Sequence, residues 1–335
     1  MKAARFHAYG GPEVLQIEDV DKPVPGPRDV LVRVIAASVN PVDYKLRSGG
    51  QRNIVRYRLP WILGLDASGV VEAVGAEVTR FRPGDEVWSS PRHNRPGTYA
   101  EYICIDEQEV ARKPKNLTHE EAASIPLVGL TAYQCVIDKG HLTDGQTALI
   151  HAGSGGVGAF AIQLAKHLGA RVVTTCSAKN AAFVESLGAD QVIDYTKERF
   201  DDVLAGKVDF VLDSVGEPAF AGNLRALRGG GRMSNISVDV PSHVARFGPT
   251  LSLFTLAGTM IWLHVWPLLK KGIRVRHVIK QCSGAELGTI TDLVEAGAIR
   301  PTVACVLPLE DVVEAHRRIE TNRTQGKIVL RVADA

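Results

Sequence analysis

The chain has 335 residues, of which 45% are hydrophobic and 23% are charged, and its formal net charge is +2. This length suits two domains, and the apolar fraction is enough to bury a full core. The small net charge argues against a general nucleic-acid or membrane-surface binder. The first residues lack the apolar segment of a signal peptide, and the apolar stretch 253–263 is too short to span a bilayer. Five scattered cysteines without a CxxC pair predict reduced thiols in a cytoplasmic protein.

Residues 1 to about 120 are rich in valine, glycine and proline and show few helical patterns. Short β-like runs separated by Pro-Gly and Gly-Asp turns predict a small, partly open barrel. The strands predicted here are 31–35, 68–73, 86–89 and 99–105. Two helices, 120–124 and 129–137, are predicted to lead into the next domain.

The stretch 147–177 has the pattern of one complete βαβ unit. An apolar run at 147–152 predicts a buried parallel strand, a helix follows to about residue 168, and a second strand covers 172–176. Gly153, Gly155 and Gly158 fit the pattern GxGxxG between the first strand and the helix. Glycines allow a tight turn and a close approach to a pyrophosphate, which the free N–H groups at the helix start can bind. Strand, turn, helix and strand in this order therefore predict dinucleotide binding.

Strands and helices continue to alternate after residue 177, which predicts a doubly wound parallel sheet. The predicted helices are 180–187, 198–204 and 218–227, and the strands are 191–194, 208–213 and 232–236. From about residue 267 the sequence pattern resembles that of the first domain again. It predicts helices at 285–296 and 309–321 and a strand at 327–332. We therefore predict one domain from residues 1–124 plus 267–335, interrupted by a nucleotide-binding domain at 125–266. Trp262, His264 and Trp266 alternate as on a strand and are interpreted as core or interface residues.

Several short motifs together resemble the medium-chain dehydrogenase/reductase superfamily, and within it the zinc-independent NADPH:quinone oxidoreductases of the zeta-crystallin type. The motifs are Asn-Pro-Val-Asp-Tyr-Lys at 40–45, Gly-Leu-Asp at 64–66, Gly-Asp-Glu-Val at 84–87, Leu-Thr-Ala at 130–132, the glycine turn 152–158 and Gly-Lys at 326–327. This resemblance covers essentially the whole chain. It implies a GroES-like β-barrel domain interrupted by a Rossmann domain, NADPH as cofactor and a homodimer.

The same resemblance argues against a metal site. Zinc alcohol dehydrogenases of this superfamily carry Cys-His where this chain has Asn40-Pro41, and Gly-His-Glu where it has Gly64-Leu65-Asp66. Asparagine and leucine cannot replace a thiolate and an imidazole at a tetrahedral zinc site. We therefore predict no bound metal.

The residues after the second strand of the βαβ unit predict the choice of cofactor. NAD enzymes of this fold usually place an acid there for the ribose hydroxyls, and this chain has none. Ser177 and Lys179 can instead bind a 2′-phosphate, although Lys179 is alternatively just a solvated residue. The pyrophosphate is predicted on Ser154, Gly155, Gly156 and Val157. The resemblance further implies cofactor contacts at Tyr195, Thr131 and Lys327, and the plain alternative for Thr131 is a helix cap.

Asn40, Tyr44 and Lys45 lie where the family builds its active-site floor, and they are predicted to be the catalytic residues. Without zinc, the donors that polarise a substrate carbonyl must be side chains, water or the cofactor's ribose. The alternative is a hydrogen-bonded loop in which Asp43 pairs with Lys45. Arg47 and the nearby Arg52, Arg56 and Arg58 are interpreted mainly as a solvated face, with an anion-recruiting rim as the minor alternative.

These residues and the resemblance imply hydride transfer from NADPH to a quinone or to the β-carbon of an α,β-unsaturated carbonyl. One alternative is a 2-alkenal or enone reductase, which shares nearly every motif. An alternative of another class is an NADPH-binding protein with a structural or sensing role and no significant turnover.

Overall fold

The computed structural model describes residues 1–52, 55–237 and 264–334. The chain divides into two compact units, one formed by Met1–Leu130 with Gln281–Ala335 and the other by Thr131–Lys280. Both boundaries lie later in the chain than the predicted 124/125 and 266/267. A Rossmann-type unit is thus inserted into a mainly β unit, as the order of the sequence patterns predicts.

The first unit is built around two sheets. Its strands are β1 (Lys2–Phe6), β2 (Leu15–Asp19), β3 (Asp29–Val39), β4 (Trp61–Ile62), β5 (Ala67–Val74), β6 (Glu86–Ser89), β7 (Tyr102–Asp106), β8 (Val110–Arg112), β15 (Val303–Pro308) and β16 (Lys327–Arg331). The smaller sheet has the order β2-β1-β4, and the larger has the order β15-β16-β3-β5-β6-β8 with β7 also paired to β3. Strand β3 is a central strand of the larger sheet. Ten of its eleven residues are buried, which suits a strand covered on both faces.

Five helices accompany these sheets in the described residues. They are α1 (Pro41–Arg47), α2 (His119–Ala123), α3 (Pro126–Tyr133), α9 (Gly284–Glu295) and α10 (Val312–Glu320). Helix α1 was not among the predicted elements. It forms because Asn40 takes the extended N-cap conformation and Pro41 occupies the first turn, where its missing N–H costs nothing.

The second unit contains one wholly parallel sheet of six described strands. They are β9 (Thr147–Ile150), β10 (Arg171–Cys176), β11 (Gln191–Asp194), β12 (Val208–Asp213), β13 (Leu227–Asn235) and β14 (Arg274–His277). Their order is β11-β10-β9-β12-β13-β14, which is the 3-2-1-4-5-6 order of the Rossmann fold. The accompanying helices are α4 (Gly156–His167), α5 (Ala181–Ser186), α6 (Phe200–Val203), α7 (Glu217–Ala226) and α8 (264–271).

The interpretation of the three alternating aromatics as a strand is wrong for the residues that can be tested. His264 and Trp266 belong to helix α8, and Trp262 lies outside the described residues. This segment also contains apolar residues three and four positions apart, at Val265, Leu268 and Leu269. The observed helix follows this spacing and not the two-residue alternation of the aromatics. None of the described helices is long and apolar enough to cross a membrane.

Candidate active site

In the glycine turn between β9 and α4, close packing alone requires glycine at two positions. Ala152 adopts a left-handed conformation with φ of 51°, and its carbonyl accepts a hydrogen bond from the Gly155 N–H at 3.0 Å. A Cβ atom on Gly158 would lie 2.4 Å from that carbonyl oxygen, and one on Gly153 would lie 2.1 Å from Thr174 Oγ1. Gly153 and Gly158 are therefore required by the turn itself.

Gly155 differs from these two glycines, because a Cβ there would meet only the Ala152 oxygen at 3.4 Å, an ordinary contact. Packing within the turn therefore does not require a glycine at this position. Gly155 is the N-cap of α4, whose first N–H groups have no intrahelical acceptors and lie at the positive end of the helix dipole. Room for a Cβ atom beside a helix start whose first N–H groups lack intrahelical acceptors fits a pyrophosphate, so the residues present suit a dinucleotide.

Three neighbouring parallel strands bring most of the predicted cofactor residues to one edge of the sheet. Ser154–Val157 follow β9, Ser177 and Lys179 follow β10, and Tyr195 follows β11. Asn180 Nδ2 donates to Ser154 Oγ at 2.9 Å, which connects the turn to the segment after β10. Ser177 is half-buried, whereas the side chains of Lys179 and Tyr195 are exposed. Carboxyl ends of adjacent parallel strands are where open α/β sheets bind ligands.

Thr131 and Lys327 are not in the segments that follow these three strands. Thr131 is a buried residue within α3, not at its start, so the alternative of a simple helix cap is wrong. Lys327 begins β16 in the first unit and is only 4% exposed.

Lys327 belongs to a buried group of polar residues, the Asp66 cluster, which consists of Ser38, Asn40, Asp66 and Lys327. Asp66 Oδ2 accepts hydrogen bonds from Ser38 Oγ at 2.7 Å, Asn40 Nδ2 at 2.7 Å and Lys327 Nζ at 3.3 Å. Its other oxygen accepts the Leu127 N–H at 2.6 Å, at the start of α3. One carboxylate therefore holds β3, β16 and α3 together.

The donors of this cluster are fully used. The Lys327 ammonium donates to Asp66, to the Val39 carbonyl at 3.1 Å and to Asn40 Oδ1. Burial lowers the pKa of Lys327, and the Asp66 carboxylate opposes this shift. Asn40 has no exposed surface, and its amide nitrogen donates to Asp66 and to the Ser38 carbonyl. The cluster is thus suited to fixing backbone positions.

Asp43 is buried beside this cluster and shares a hydrogen bond with it. Its Oδ2 accepts the Asn40 N–H at 2.8 Å and the Tyr99 hydroxyl at 2.9 Å, while Oδ1 has no hydrogen-bond partner in the described part of the chain. Burial raises the pKa of Asp43 to about 7. Asp43 also lines a small cavity together with Trp61, Gly64 and Leu65. Asp43 bonds to Asn40 and Tyr99 and its remaining oxygen has no partner among the described residues, so the alternative of an Asp43–Lys45 pair is wrong.

Tyr44 and Lys45 occupy different surroundings from Asn40. Tyr44 is half-buried against the apolar core of the first unit, and burial raises the pKa of its phenol. Lys45 lies on the exposed side of α1.

Arg47 is not part of an exposed arginine rim, which corrects the sequence interpretation. Only 1% of Arg47 is exposed, and it donates to the Gly10 carbonyl, to His316 Nδ1 and to Glu320. Burial and the Arg47 charge lower the pKa of His316 to about 3. Arg47 is buried because the helical period of α1 places it on the same face as Asp43 and Leu46, whereas Arg52, Arg56 and Arg58 are exposed.

Sequence reasoning missed the central role of Asp66, Ser38 and Asp43. A usable signal was present for Asp66, which is the only charged residue in the apolar segment 59–71. A lone acid in such a run is either paired or functional, because burying an unpaired carboxylate is costly. In the described residues no group of three or more His, Cys, Asp or Glu side chains could hold a metal ion.

Comparison with known proteins connects both units to one family. The model of the alcohol dehydrogenase GroES-like domain matches residues 26–115, and that of the zinc-binding dehydrogenase matches residues 187–330. The mitochondrial NAD(P)H oxidoreductase RTN4IP1 of Mus musculus is 36% identical over 99% of this chain and 89% of its own. The 2-methylene-furan-3-one reductase of Solanum lycopersicum is 34% identical over 98% of this chain and 79% of its own.

Solved structures agree with the sequence relatives. The quinone oxidoreductase of Coxiella burnetii superposes with a TM-score of 0.85 at 34% identity, covering 99% of both chains. The quinone oxidoreductase of Escherichia coli, solved in complex with NADPH, gives 0.81 at 28% identity over 99% of this chain and 100% of its own. The chain therefore belongs to the medium-chain dehydrogenase/reductase superfamily, in the zinc-independent family related to quinone oxidoreductases.

Proposed function

We propose that this protein transfers a hydride from NADPH to a quinone or a related conjugated carbonyl without a metal ion. That it is an oxidoreductase using a nicotinamide cofactor follows from its family. The observation that carries the proposal is the glycine turn after the carboxyl end of β9. A Cβ atom would fit at Gly155, and the first N–H groups of the following helix α4 have no acceptor within the helix. When bound, NADPH supplies the hydride, and the protein supplies position and electrostatics.

The residues after β10 support NADPH over NADH. The segment 176–180 contains no acid that would repel a 2′-phosphate, and it offers the Ser177 hydroxyl and the exposed Lys179 ammonium. Two such groups can supply charge-assisted hydrogen bonds to a phosphate. Tyr195 is 65% exposed at the end of the adjacent strand, which suits stacking or hydrogen bonding at the adenosine end of the cofactor.

Three residues of the first unit, Asn40, Tyr44 and Lys45, have different proposed roles in the reaction. Asn40 acts as a positioning residue, since its amide is committed to Asp66 and Lys327. The Tyr44 phenol is protonated at neutral pH, as an ordinary tyrosine is, and it is the proposed donor of a proton to the reduced product; burial raises its pKa further. Lys45 is an exposed cation on the same helix and suits attraction of an anionic or electron-rich substrate. Water is the alternative proton donor.

A second candidate is the reduction of a 2-alkenal or enone double bond. It is favoured by the tomato relative, whose name states that it reduces 2-methylene-furan-3-one. Consumption of NADPH, followed at 340 nm with 9,10-phenanthrenequinone and with a short 2-alkenal, separates the two. Faster turnover of the quinone is the expected result, and faster turnover of the alkenal would favour the second candidate.

The same assay tests the role without turnover and the absence of metal. An NADPH-binding protein with a structural or sensing role would bind NADPH tightly and oxidise it with neither substrate. A zinc-free enzyme would keep its activity after treatment with a chelator, and elemental analysis would find substoichiometric zinc. Stoichiometric zinc whose removal abolishes turnover would contradict the proposal.

We further propose a homodimer that forms through the sheet of the second unit. β14 is the last strand of this sheet in the described residues, and it follows helix α8. Leu268 and Leu269 of α8 are 47% and 81% exposed, and Ile279 just after β14 is 81% exposed. Exposed apolar side chains next to the last described strand of a sheet suit an interface between proteins. Light scattering after gel filtration would give twice the chain mass of 36.1 kDa for a dimer.

We propose the cytoplasm as the site of action, supported by five cysteines that are all free thiols. The relative from mouse is named as mitochondrial. Fractionation of cells that express the tagged protein distinguishes the two compartments.

A further inference from the structure

A buried histidine, His151, lies between the glycine turn and helix α7 at the end of β9. Only 2% of it is exposed, and its ring packs edge-on against Phe200 with centroids 4.7 Å apart. Its Nδ1 lies 2.9 Å from Thr175 Oγ1, and its Nε2 lies 2.7 Å from Asn223 Oδ1. Both ring nitrogens are therefore used, and neither can reach a ligand.

The hydrogen bonds fix the direction of donation along this row. In the assigned orientation of the Asn223 amide, Oδ1 faces His151 and can only accept, so Nε2 carries the proton, while Asn223 Nδ2 has no hydrogen-bond partner in the described residues. Burial lowers the pKa of His151, which keeps the imidazole neutral. Nδ1 of a neutral ring must then accept, and the Thr175 hydroxyl is the donor. The lone pairs of Thr175 Oγ1 can therefore accept hydrogen bonds from other donors.

One such donor belongs to the glycine turn. The Ala152 N–H donates to Thr175 Oγ1 at 3.3 Å, and the Gly153 N–H donates to the Thr175 carbonyl at 3.1 Å. Thr175 thus holds two consecutive N–H groups of the turn. Ala152 is the residue with φ of 51°, a conformation that a non-glycine residue keeps only when its surroundings enforce it. Its carbonyl in turn accepts the Gly155 N–H.

We propose that His151 is a positioning residue for cofactor binding: it orients the Thr175 hydroxyl, which holds Ala152 in the conformation that aims the glycine turn at the pyrophosphate. This inference rests on the proposed binding of NADPH at that turn. It assigns a role to a residue that neither touches the cofactor nor takes part in hydride transfer. The row of Asn223, His151, Thr175 and Ala152 connects α7 to the turn through side chains that lie within the second unit.

The test compares a ligand that contains a pyrophosphate with one that does not. NADPH and adenosine 2′-monophosphate share the adenosine and its 2′-phosphate, but only NADPH reaches the glycine turn. His151→Leu and Thr175→Val both break the neutral hydrogen bond between His151 and Thr175, and Thr175→Val also removes the acceptor of the Ala152 N–H, so we expect NADPH to bind about three- to tenfold more weakly. Adenosine 2′-monophosphate should bind within about twofold of wild type, because losing that bond leaves its own contacts unchanged.

Conservative variants separate positioning from general packing. Thr175→Ser keeps the hydroxyl and should retain wild-type affinity for NADPH. His151→Asn offers an amide oxygen near the position of Nδ1 and should restore most of the affinity that His151→Leu loses. Equal weakening of both ligands, or unchanged NADPH binding in Thr175→Val, would overturn the inference. Thr175→Val also decides the question if His151→Leu does not fold, since valine preserves the shape of threonine.

Gly158→Ala distinguishes failure of this inference from failure of the proposed site. Its Cβ would lie 2.4 Å from the Ala152 oxygen and must displace the turn. If Gly158→Ala leaves NADPH affinity unchanged, the pyrophosphate does not bind at this turn and the proposed site is wrong. If Gly158→Ala weakens NADPH while Thr175→Val does not, the site stands and only the role of His151 fails.

Discussion

The glycine turn and the Asp66 cluster are both groups of polar atoms, but they handle their hydrogen bonds in opposite ways. At the turn, the first N–H groups of α4 have no acceptors within the helix, and Gly155 leaves space in front of them. In the Asp66 cluster, every N–H of the Lys327 ammonium has an acceptor and Asp66 accepts four hydrogen bonds. Unused donors beside open space favour ligand binding, whereas saturated donors without exposure favour positioning.

The two lysines predicted to bind the cofactor differ in the same way as these two groups of polar atoms. Lys179 is exposed after β10, while Lys327 is buried and committed to Asp66. Substitutions at the two positions should therefore separate cofactor affinity from folding stability. A variant that loses only affinity belongs to a binding group, and one that loses mainly stability belongs to a positioning group.

Lys327→Met should have the largest effect, on stability. It leaves the Asp66 carboxylate buried without its cation, and breaking a buried pair from one side costs about 3–5 kcal/mol. Denaturant titration should show this loss in the free energy of unfolding. Lys45→Met is the matched control, because Lys45 is exposed on α1 and its substitution should stay within about 0.5 kcal/mol of wild type. A loss below 1 kcal/mol for Lys327→Met would contradict the view that the pair is essential to the fold.

Lys179→Ala should have an intermediate effect, on affinity. A charge-assisted hydrogen bond to a phosphate contributes about 1.5–3 kcal/mol, so NADPH should bind about ten- to a hundredfold more weakly. NADH lacks the 2′-phosphate, and its affinity should hardly change. Fluorescence titration of both cofactors at fixed ionic strength measures the difference. The unfolding midpoint should not move, since Lys179 is exposed.

Ser177→Asp extends the same test in the opposite direction. The carboxylate would repel the 2′-phosphate and offer an acceptor to the ribose hydroxyls of NADH. The preference should then reverse or disappear. If wild type binds NADH as tightly as NADPH, or Lys179→Ala weakens both equally, the placement of the 2′-phosphate at this segment is wrong.

Much of the second unit could be predicted from the sequence, because its signals are local. The strands at 191–194 and 208–213 were predicted with their observed bounds, and the glycine turn was predicted from its spacing together with the strand, helix and second strand around it. Parallel strands buried on both faces give continuous apolar runs, which a single sequence shows directly. β14 was missed because Arg274 and Arg276 interrupt its short apolar pattern.

The Asp66 cluster could not be predicted, because its members are brought together by pairing between distant strands. β16 pairs antiparallel with β3, with Ile328 opposite Val39, and this register brings Lys327 to Asn40 across most of the chain. Local patterns contain no information about such a register. The buried Arg47 was misplaced for a related reason, since its partners His316 and Glu320 lie on α10.

Asp43→Asn should have its smallest effect on stability at low pH, and the effect should grow as the pH rises. Burial raises the pKa of Asp43 to about 7 in the folded protein, above the ordinary value of 3.8 for an aspartate. The unfolded chain therefore loses this proton at lower pH than the folded protein does. Between those two pKa values the unfolded state binds fewer protons, so the wild-type free energy of unfolding should fall as pH rises, by at most about 1.4 kcal/mol per pH unit.

Asparagine resembles the protonated form of Asp43, because its amide oxygen can still accept from the Asn40 N–H and the Tyr99 hydroxyl. Asp43→Asn removes this titration from both the folded and the unfolded protein. At pH 4 the two proteins should be about equally stable, and by pH 7 the variant should be more stable by on the order of 3 kcal/mol. Urea titrations at pH 4, 5, 6 and 7 measure this divergence. Parallel stability curves would mean that Asp43 is ionised throughout this range and that burial does not control its proton.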